Sequence, residues 1–398
     1  MSVFAQEGYG KSNKIDLGIQ DGSLTGIVWS PRDEDPSSVT TTISRYKASY
    51  PDMKMIFDPQ FYITNLVSPR AGRLPDYPYY RNGLTRASFS NPRNIQTYVK
   101  ETLDYESTLQ LDYLTSPSIL FQDFSDPWSQ VSLMMATESV NYHGRMHSVP
   151  PLLLSLIVSE SALSSTGGLQ DFLDAFSVMD AQGLYLIVQR DDSIYQATFD
   201  PTRLENLIYL VYVLAEINGF EVVCGYCDFI GLLLQAVGAK AICNGWYNNL
   251  RQFTMDRFLP SQGGRQPRPR YSSLPLLNSI FVEDMDNIYT LQQLPLVLSN
   301  TGHDRLFTSG RQPSSVSSSW SMELSTLNHW SVISRALTQL GNGTVTQKLD
   351  RCAALIHSAA TIYSGLSRSG MAFDPLSNQR HLQQWRQAFI NFRARINI

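Results

Sequence analysis

Short apolar runs recur along the chain with helix-patterned segments between them, and this rhythm limits the fold more than any other feature. Seven are plain, at residues 25–29, 53–57, 118–121, 152–158, 184–188, 220–224 and 240–243; an eighth is either 279–282 or 296–298. They read as apolar nearly throughout rather than alternating, which marks strands covered on both faces. Candidate helices such as 201–218 and 229–237 lie between them, so the strands are expected to run parallel, joined by right-handed crossovers. The clearest unit spans 219–253: a strand, Asp228 as a candidate helix cap, a short helix ended by Gly238, a second strand, and a further helix opening near Tyr247.

Eight such runs predict an α/β chain of the (β/α)8 TIM-like barrel class, with a long loop insertion after the second run and extra C-terminal helices. The alternative is an open doubly wound sheet. That fold usually carries a Gly-rich phosphate loop after its first strand, and neither GxGxxG nor GxxxxGK[ST] occurs here. The expected layout is a barrel over 1–345, inserted near 60–117 and 259–275, with a helical extension at 346–398 packed against it. Residues 308–321 are Ser-rich and belong to no repeating element.

Composition removes several classes. With 398 residues, 43% hydrophobic and 17% charged, and 6 Trp, 20 Tyr and 18 Phe, the chain has ample material for a core and is not disordered. A formal charge of −4 excludes a globally basic nucleic-acid coat. The N-terminus lacks a basic start followed by an apolar stretch, and no apolar run approaches the ~18 to 20 residues a membrane span needs. Four Cys do not make a disulfide framework. The expectation is a cytoplasmic protein with no membrane partner.

In a barrel of this class, function gathers on loops at the C-terminal ends of the strands. Every such end here turns from apolar to polar. Asp58, Asp123 and Glu160 stand out. Asp58 precedes a Pro with no clear helix to cap, and Glu160 follows a nearly apolar run and is a poor capping type. Asp33, Asp191 and Asp228 sit where helix caps belong. Around the three carboxylates lie Arg32, Gln60, Tyr62, Gln122, Arg190, Tyr226, Asn244, Trp246 and Tyr247, which could form a wall for a planar ring or sugar face. Two carboxylates facing one cleft would serve as acid and base, or acid and nucleophile, on a glycosidic bond.

No cofactor or metal is expected. His143 and His147 have ligand-like spacing but precede a strand, on the wrong face of a barrel. Cys224 and Cys227 form CxxC with Cys243 nearby, yet a spacing of three along a strand sends side chains to opposite faces, so they read as core. No GxSxG elbow is present, and Asn300 to Asp304 reads as a turn with an exposed His.

Charge is unevenly spread. Residues 68–93 carry Arg70, Arg73, Arg81, Arg86 and Arg93 against Asp76, a local +4; residues 261–271 carry Arg265, Arg268 and Arg270, a local +3. Setting these against the total of −4 leaves −11 for the remainder. Tyr77, Tyr79, Tyr80 and Tyr271 lie among these arginines. Both loops would rise on the active face, as a collar for an anionic ligand with stackable rings: a nucleotide or a nucleic-acid strand. Solvated loops or a protein-partner surface are the plainer alternatives.

Two functions follow. The first is a metal-independent glycosidase or transglycosylase acting on a nucleotide or nucleic acid; base-exchanging transglycosylases on this barrel also use Asp at strand ends, a likeness of fold and not of motif. The second is a non-catalytic barrel subunit that binds nucleic acid or a protein partner within a larger complex.

Overall fold

The structure, a computed structural model, describes residues 2–191, 197–260, 267–308 and 319–398. Eight strands, β1 Ser2–Gln6, β2 Gly26–Trp29, β3 Lys54–Phe57, β4 Leu114–Thr115, β5 Leu152–Ser159, β6 Gly183–Gln189, β7 Glu221–Cys224 and β8 Ala241–Asn244, form one parallel sheet in the order β3-β2-β1-β8-β7-β6-β5-β4. β4, of two residues, meets β3 through bonds outside the ladder. Thr115 Oγ1 donates to the Phe57 carbonyl at 2.5 Å, and the Asp112 and Met55 N–H groups donate to the Met55 carbonyl and the Asp112 carboxylate at 2.9 and 2.8 Å. The result is a nearly closed (β/α)8 TIM-like barrel with surrounding helices.

The strand absent from the sequence reading is β1. Ser2–Gln6 has three apolar residues and a buried polar one, so it lacks the long apolar signature; it completes the ring by pairing with both β2 and β8. Neither candidate for the eighth strand belongs to the barrel. Residues 279–282 overlap β10 Asn278–Phe281, which pairs antiparallel with β9 Arg270–Ser273 in a separate hairpin. Residues 296–298 end a short 3-10 turn, Leu294–Leu296. Both segments pack beside helix Val282–Thr290 and lie outside the barrel sheet. The run at 118–121 follows β4, and its last residue, Phe121, bridges to Val158.

Four helices open alike, with Asp or Asn followed by Pro: Asp35 before Pro36–Ser49, Asn91 before Pro92–Ser107, Asp126 before Pro127–His143 and Asp200 before Pro201–Tyr212. In each, the side-chain oxygen accepts backbone N–H groups that have no intrahelical partner, and Pro occupies a position that needs no donor. Gly183 at the start of β6 is required by close approach, since a Cβ there would stand 2.2 Å from the Glu221 carbonyl oxygen.

After β8 the chain departs from the alternation. Residues 245–321 include the hairpin and helix Val282–Thr290 before Met322–Leu340 returns to the barrel wall, where Trp330 Nε1 donates to the Asn244 carbonyl at 3.1 Å. Helices Val345–Arg368 and Arg380–Ile396 then pack over Gly231–Ala236 and Pro201–Tyr212. Arg395 ties the last helix down, donating to Glu205 and Asn206 at 2.8 and 2.7 Å. Among the described residues, no helix is long and apolar enough to cross a membrane.

Candidate functional site

The C-terminal mouth of the barrel is filled by a buried polar network. Asp58, at the end of β3, accepts the Gln60 N–H at 3.1 Å and the Tyr62 hydroxyl at 3.0 Å. Gln60 takes a left-handed backbone (φ 52°), which swings its amide back so that Nε2 donates to Ser30 Oγ at 2.8 Å. Ser30 N donates to Glu7 at 3.1 Å, and Arg257 donates to Ser30 Oγ at 3.1 Å and to the Tyr226 hydroxyl at 3.0 Å while pairing with Asp33. Burial pushes the Asp58 carboxyl up to about 6 and raises Glu7 well above the usual carboxylate range. Phe253 and Phe258, from the segment after β8, cover this network by ring contacts at 5.3 and 6.0 Å from Tyr62, and Phe253 lies 5.1 Å from Tyr226.

Beside this sealed mouth is an open cleft of about 370 Å³, between the ends of β7 and β8, the hairpin and the start of helix Met322–Leu340. Arg251, Arg257, Arg268 and Arg270 line it, with Trp246 and Tyr247 as its rings and Asp228 and Asp256 as its carboxylates. The arginines are positioned differently. Arg251 Nε donates to the Gly245 carbonyl at 2.8 Å, and Arg270 donates to the Ser279 and Leu376 carbonyls at 2.5 and 3.2 Å. Arg268 is partly exposed: it lies over the Phe281 ring at 3.7 Å and reaches Glu283 and Asp374 only at 3.4 and 3.9 Å.

Asp228 accepts the Phe229 N–H at 2.8 Å, and burial raises its carboxyl even though Arg251 and Arg270 pull the other way. His329 stands 3.7 Å from it, bonded through Nδ1 to Ser272 Oγ at 2.9 Å; Ser272 in turn meets Ser279, on the cleft wall, at 2.8 Å. Burial and Arg251 hold the His329 ring well below its ordinary value, so it faces Asp228 as a neutral imidazole. The ion-pair distance therefore does not denote an ion pair.

The three carboxylates singled out in the sequence take three different environments. Asp58 is sealed in the mouth. Glu160 is buried at the β5–β6 rim, paired with Arg190 and 3.6 Å from Arg203, and accepts the Asp191 N–H at 3.2 Å. Asp123 is exposed and closes its own turn, accepting Ser125 N and Oγ at 2.8 and 2.7 Å, which lower its pKa. None of the three lines the cleft.

Of the proposed wall, Trp246 and Tyr247 line the cleft, whereas Gln60, Tyr62 and Tyr226 belong to the mouth network. Arg32 pairs with Asp33 at 2.9 Å and donates to the Arg70 carbonyl; Arg190 lies over Phe199 at 4.1 Å. Gln122 is exposed, and Asn244 is buried behind Trp330.

The first basic loop is more neutral than its composition. Arg81 pairs with Glu101, outside that loop, and Arg73 with Asp76 at 2.8 Å. Arg70, Arg86 and Arg93 are exposed. Tyr77 and Tyr79 are core, packed with Phe57 and Tyr105, and Tyr271 is buried with its hydroxyl on Asp304 at 2.8 Å. Of the second loop, Arg268 and Arg270 reach the cleft, and Arg265 lies outside the described residues.

Sequence reasoning passed over Arg251, Arg257, Asp256 and His329. The available signal is two Arg within seven residues just after a strand, which also reads as a helix start. The cysteines are core, as expected, although Cys227 lies beyond the end of β7 rather than on the opposite face of that strand. The left-handed turn at Tyr226 (φ 53°) reverses the chain, so Cys227 N donates to the Cys243 carbonyl at 2.8 Å and the Cys224 thiol is raised by its hydrogen bond with Cys227 and by burial. All four cysteines are buried and free. Among the described residues, no three His, Cys, Asp or Glu side chains converge as a metal site would require. No protein-family model matches the chain, and no curated protein matches it in sequence.

Proposed function

We propose that this protein binds a nucleotide, or the end of a nucleic-acid strand, in the cleft at the ends of β7 and β8, and cleaves or exchanges a glycosidic bond there without a metal. The observation that carries the reading is the convergence of four arginines, from two stretches of chain, on one concave site that also holds Trp246 and Tyr247. Guanidinium groups match phosphate oxygens in shape and charge, and the rings offer stacking faces for a base. Arg268, partly exposed and loosely paired, is the arm for phosphate; Arg251, Arg257 and Arg270, fixed by the protein, set the field. Asp228 supplies a proton to the leaving base, and water, or an incoming base in exchange, forms the new bond to the sugar carbon and gives up a proton to solvent. Burial shifts the Asp228 carboxyl toward the protonated form, which is the direction a general acid needs.

A second reading is favoured by the sealed mouth, where Tyr62, Phe253 and Phe258 occupy the space an active barrel usually opens to substrate. On that reading the cleft binds and does not turn over.

One experiment separates the two. The protein is incubated with labelled nucleotides and short oligonucleotides, and both binding and base release are measured for the parent, Asp228→Asn and Arg268→Ala. Loss of release by roughly 10²-fold or more in Asp228→Asn with binding retained supports the enzyme. Binding that depends on Arg268 without release in any variant supports the second reading. Binding indifferent to Arg268, or no binding at all, removes the cleft from both.

A further inference from the structure

The last two helices, besides covering the barrel's outer wall, leave a groove of about 800 Å³ between them. On helix Val345–Arg368 its wall is Ala353, His357, Ala360 and Ser364, at steps of four, three and four; on helix Arg380–Ile396 it is Gln383, Arg386, Ile390 and Arg393, at steps of three, four and three. This alternation is the spacing by which a helix presents a continuous seam to another helix. The floor is apolar, with Ile356, Leu382 and Phe389 buried, while Ile390 stands 52% exposed on the rim. Ala353 and Ala360 keep one wall low, which leaves depth for large side chains from outside.

Charge narrows the occupant. The lining holds Arg380, Arg386 and Arg393 and no Asp or Glu, and helix Arg380–Ile396 carries four Arg with no acid. Arg393 is satisfied by Asp350 at 2.7 Å. Among the described residues, Arg380 and Arg386 have no acidic side chain within ion-pair distance.

We propose that this groove seats an acidic amphipathic helix from a partner protein, its apolar stripe on Ile356, Phe389 and Ile390 and its carboxylates on Arg380 and Arg386. Two seams already in place supply the geometry of a three-helix contact, and the one-signed rim sets the partner's charge. The inference is independent of the cleft, since no cleft residue takes part.

The test uses the full chain and two labelled helical peptides with the same Leu/Phe stripe, one flanked by Glu and one by Lys, read by fluorescence polarisation. The Glu peptide is expected to bind saturably and at least about tenfold more tightly than the Lys peptide. The double variant Arg380→Glu/Arg386→Glu should reverse that preference, and Ile390→Asp should abolish binding of both. These positions are on the surface, so thermal melts should match the parent. Equal affinities, no binding of either peptide, or a preference that survives the double variant overturns the proposal. So does an oligonucleotide that binds the groove with dependence on Arg380 and Arg386 but not on Ile390, which would make this a polyanion surface.

Discussion

The barrel mouth and the neighbouring cleft are built from the same residue types and end in opposite conditions. In the mouth, Arg257, Asp33, Ser30, Gln60, Asp58 and Tyr62 bond to one another, and the rings of Phe253 and Phe258 cover them. In the cleft, Arg268 keeps an exposed arm and the buried Asp228 lines the cavity wall. A charged group acts on a ligand only if its neighbours leave it part of its capacity, and strand-end position alone does not ensure that. Arg257 belongs to both regions and is the hinge of the comparison.

Removing that hinge should have the largest effect. Arg257→Ala removes one of the two arginines on buried Asp33, together with the donors to Ser30 and Tyr226, and a loss of about 2 to 4 kcal/mol is expected in chemical denaturation. A loss below about 1 kcal/mol would mean that the mouth is not the sealed structural unit described here.

Acid titration sharpens the contrast next. The Asp58 carboxyl sits near 6 in the fold and about 3.9 in an unfolded chain, so the folded state binds the extra proton between those values. The stability this provides is complete below about pH 4 and is lost as pH rises through about 6, on the order of 2 to 3 kcal/mol. Asp58→Asn should flatten the stability profile in that window. A parallel shift of the whole profile would show that the hydrogen bonds to Gln60 and Tyr62 outweigh the proton.

In the cleft, Arg268→Ala should weaken nucleotide or oligonucleotide binding by about tenfold and lower the salt slope by about 1, with little change in melting temperature. An unchanged slope would take Arg268 off the phosphate. Asp123→Ala should do least, within about 1 kcal/mol of the parent and with no effect on binding, because its carboxylate only closes an exposed turn. A fall in turnover with that variant would move the chemistry back to the rim of β5.

Much of the fold was legible because strands covered on both faces must be apolar along nearly their whole length, as β5 and β6 are. β1 was not, since Ser2–Gln6 needs only three apolar residues to close a ring whose other strands supply the burial. Asp58 could be singled out because Asp-Pro without a following helix has no capping role. That it would be sealed could not, because its lid comes from Phe253 and Phe258, nearly 200 residues away. The local charge at 68–93 overstated its reach for the same reason: Glu101 lies outside that window and meets Arg81 in space.

The order of strands and helices, the parallel direction and the end of the barrel that carries polar residues were set by the sequence, because burial and backbone pairing act on short segments whatever lies far along the chain. Which of those polar residues are spent and which stay available was decided by the tertiary structure. Pairing and desolvation depend on distances of a few ångströms between groups remote in sequence, and Arg257, joined to Asp33 across 224 positions, shows how that choice is made.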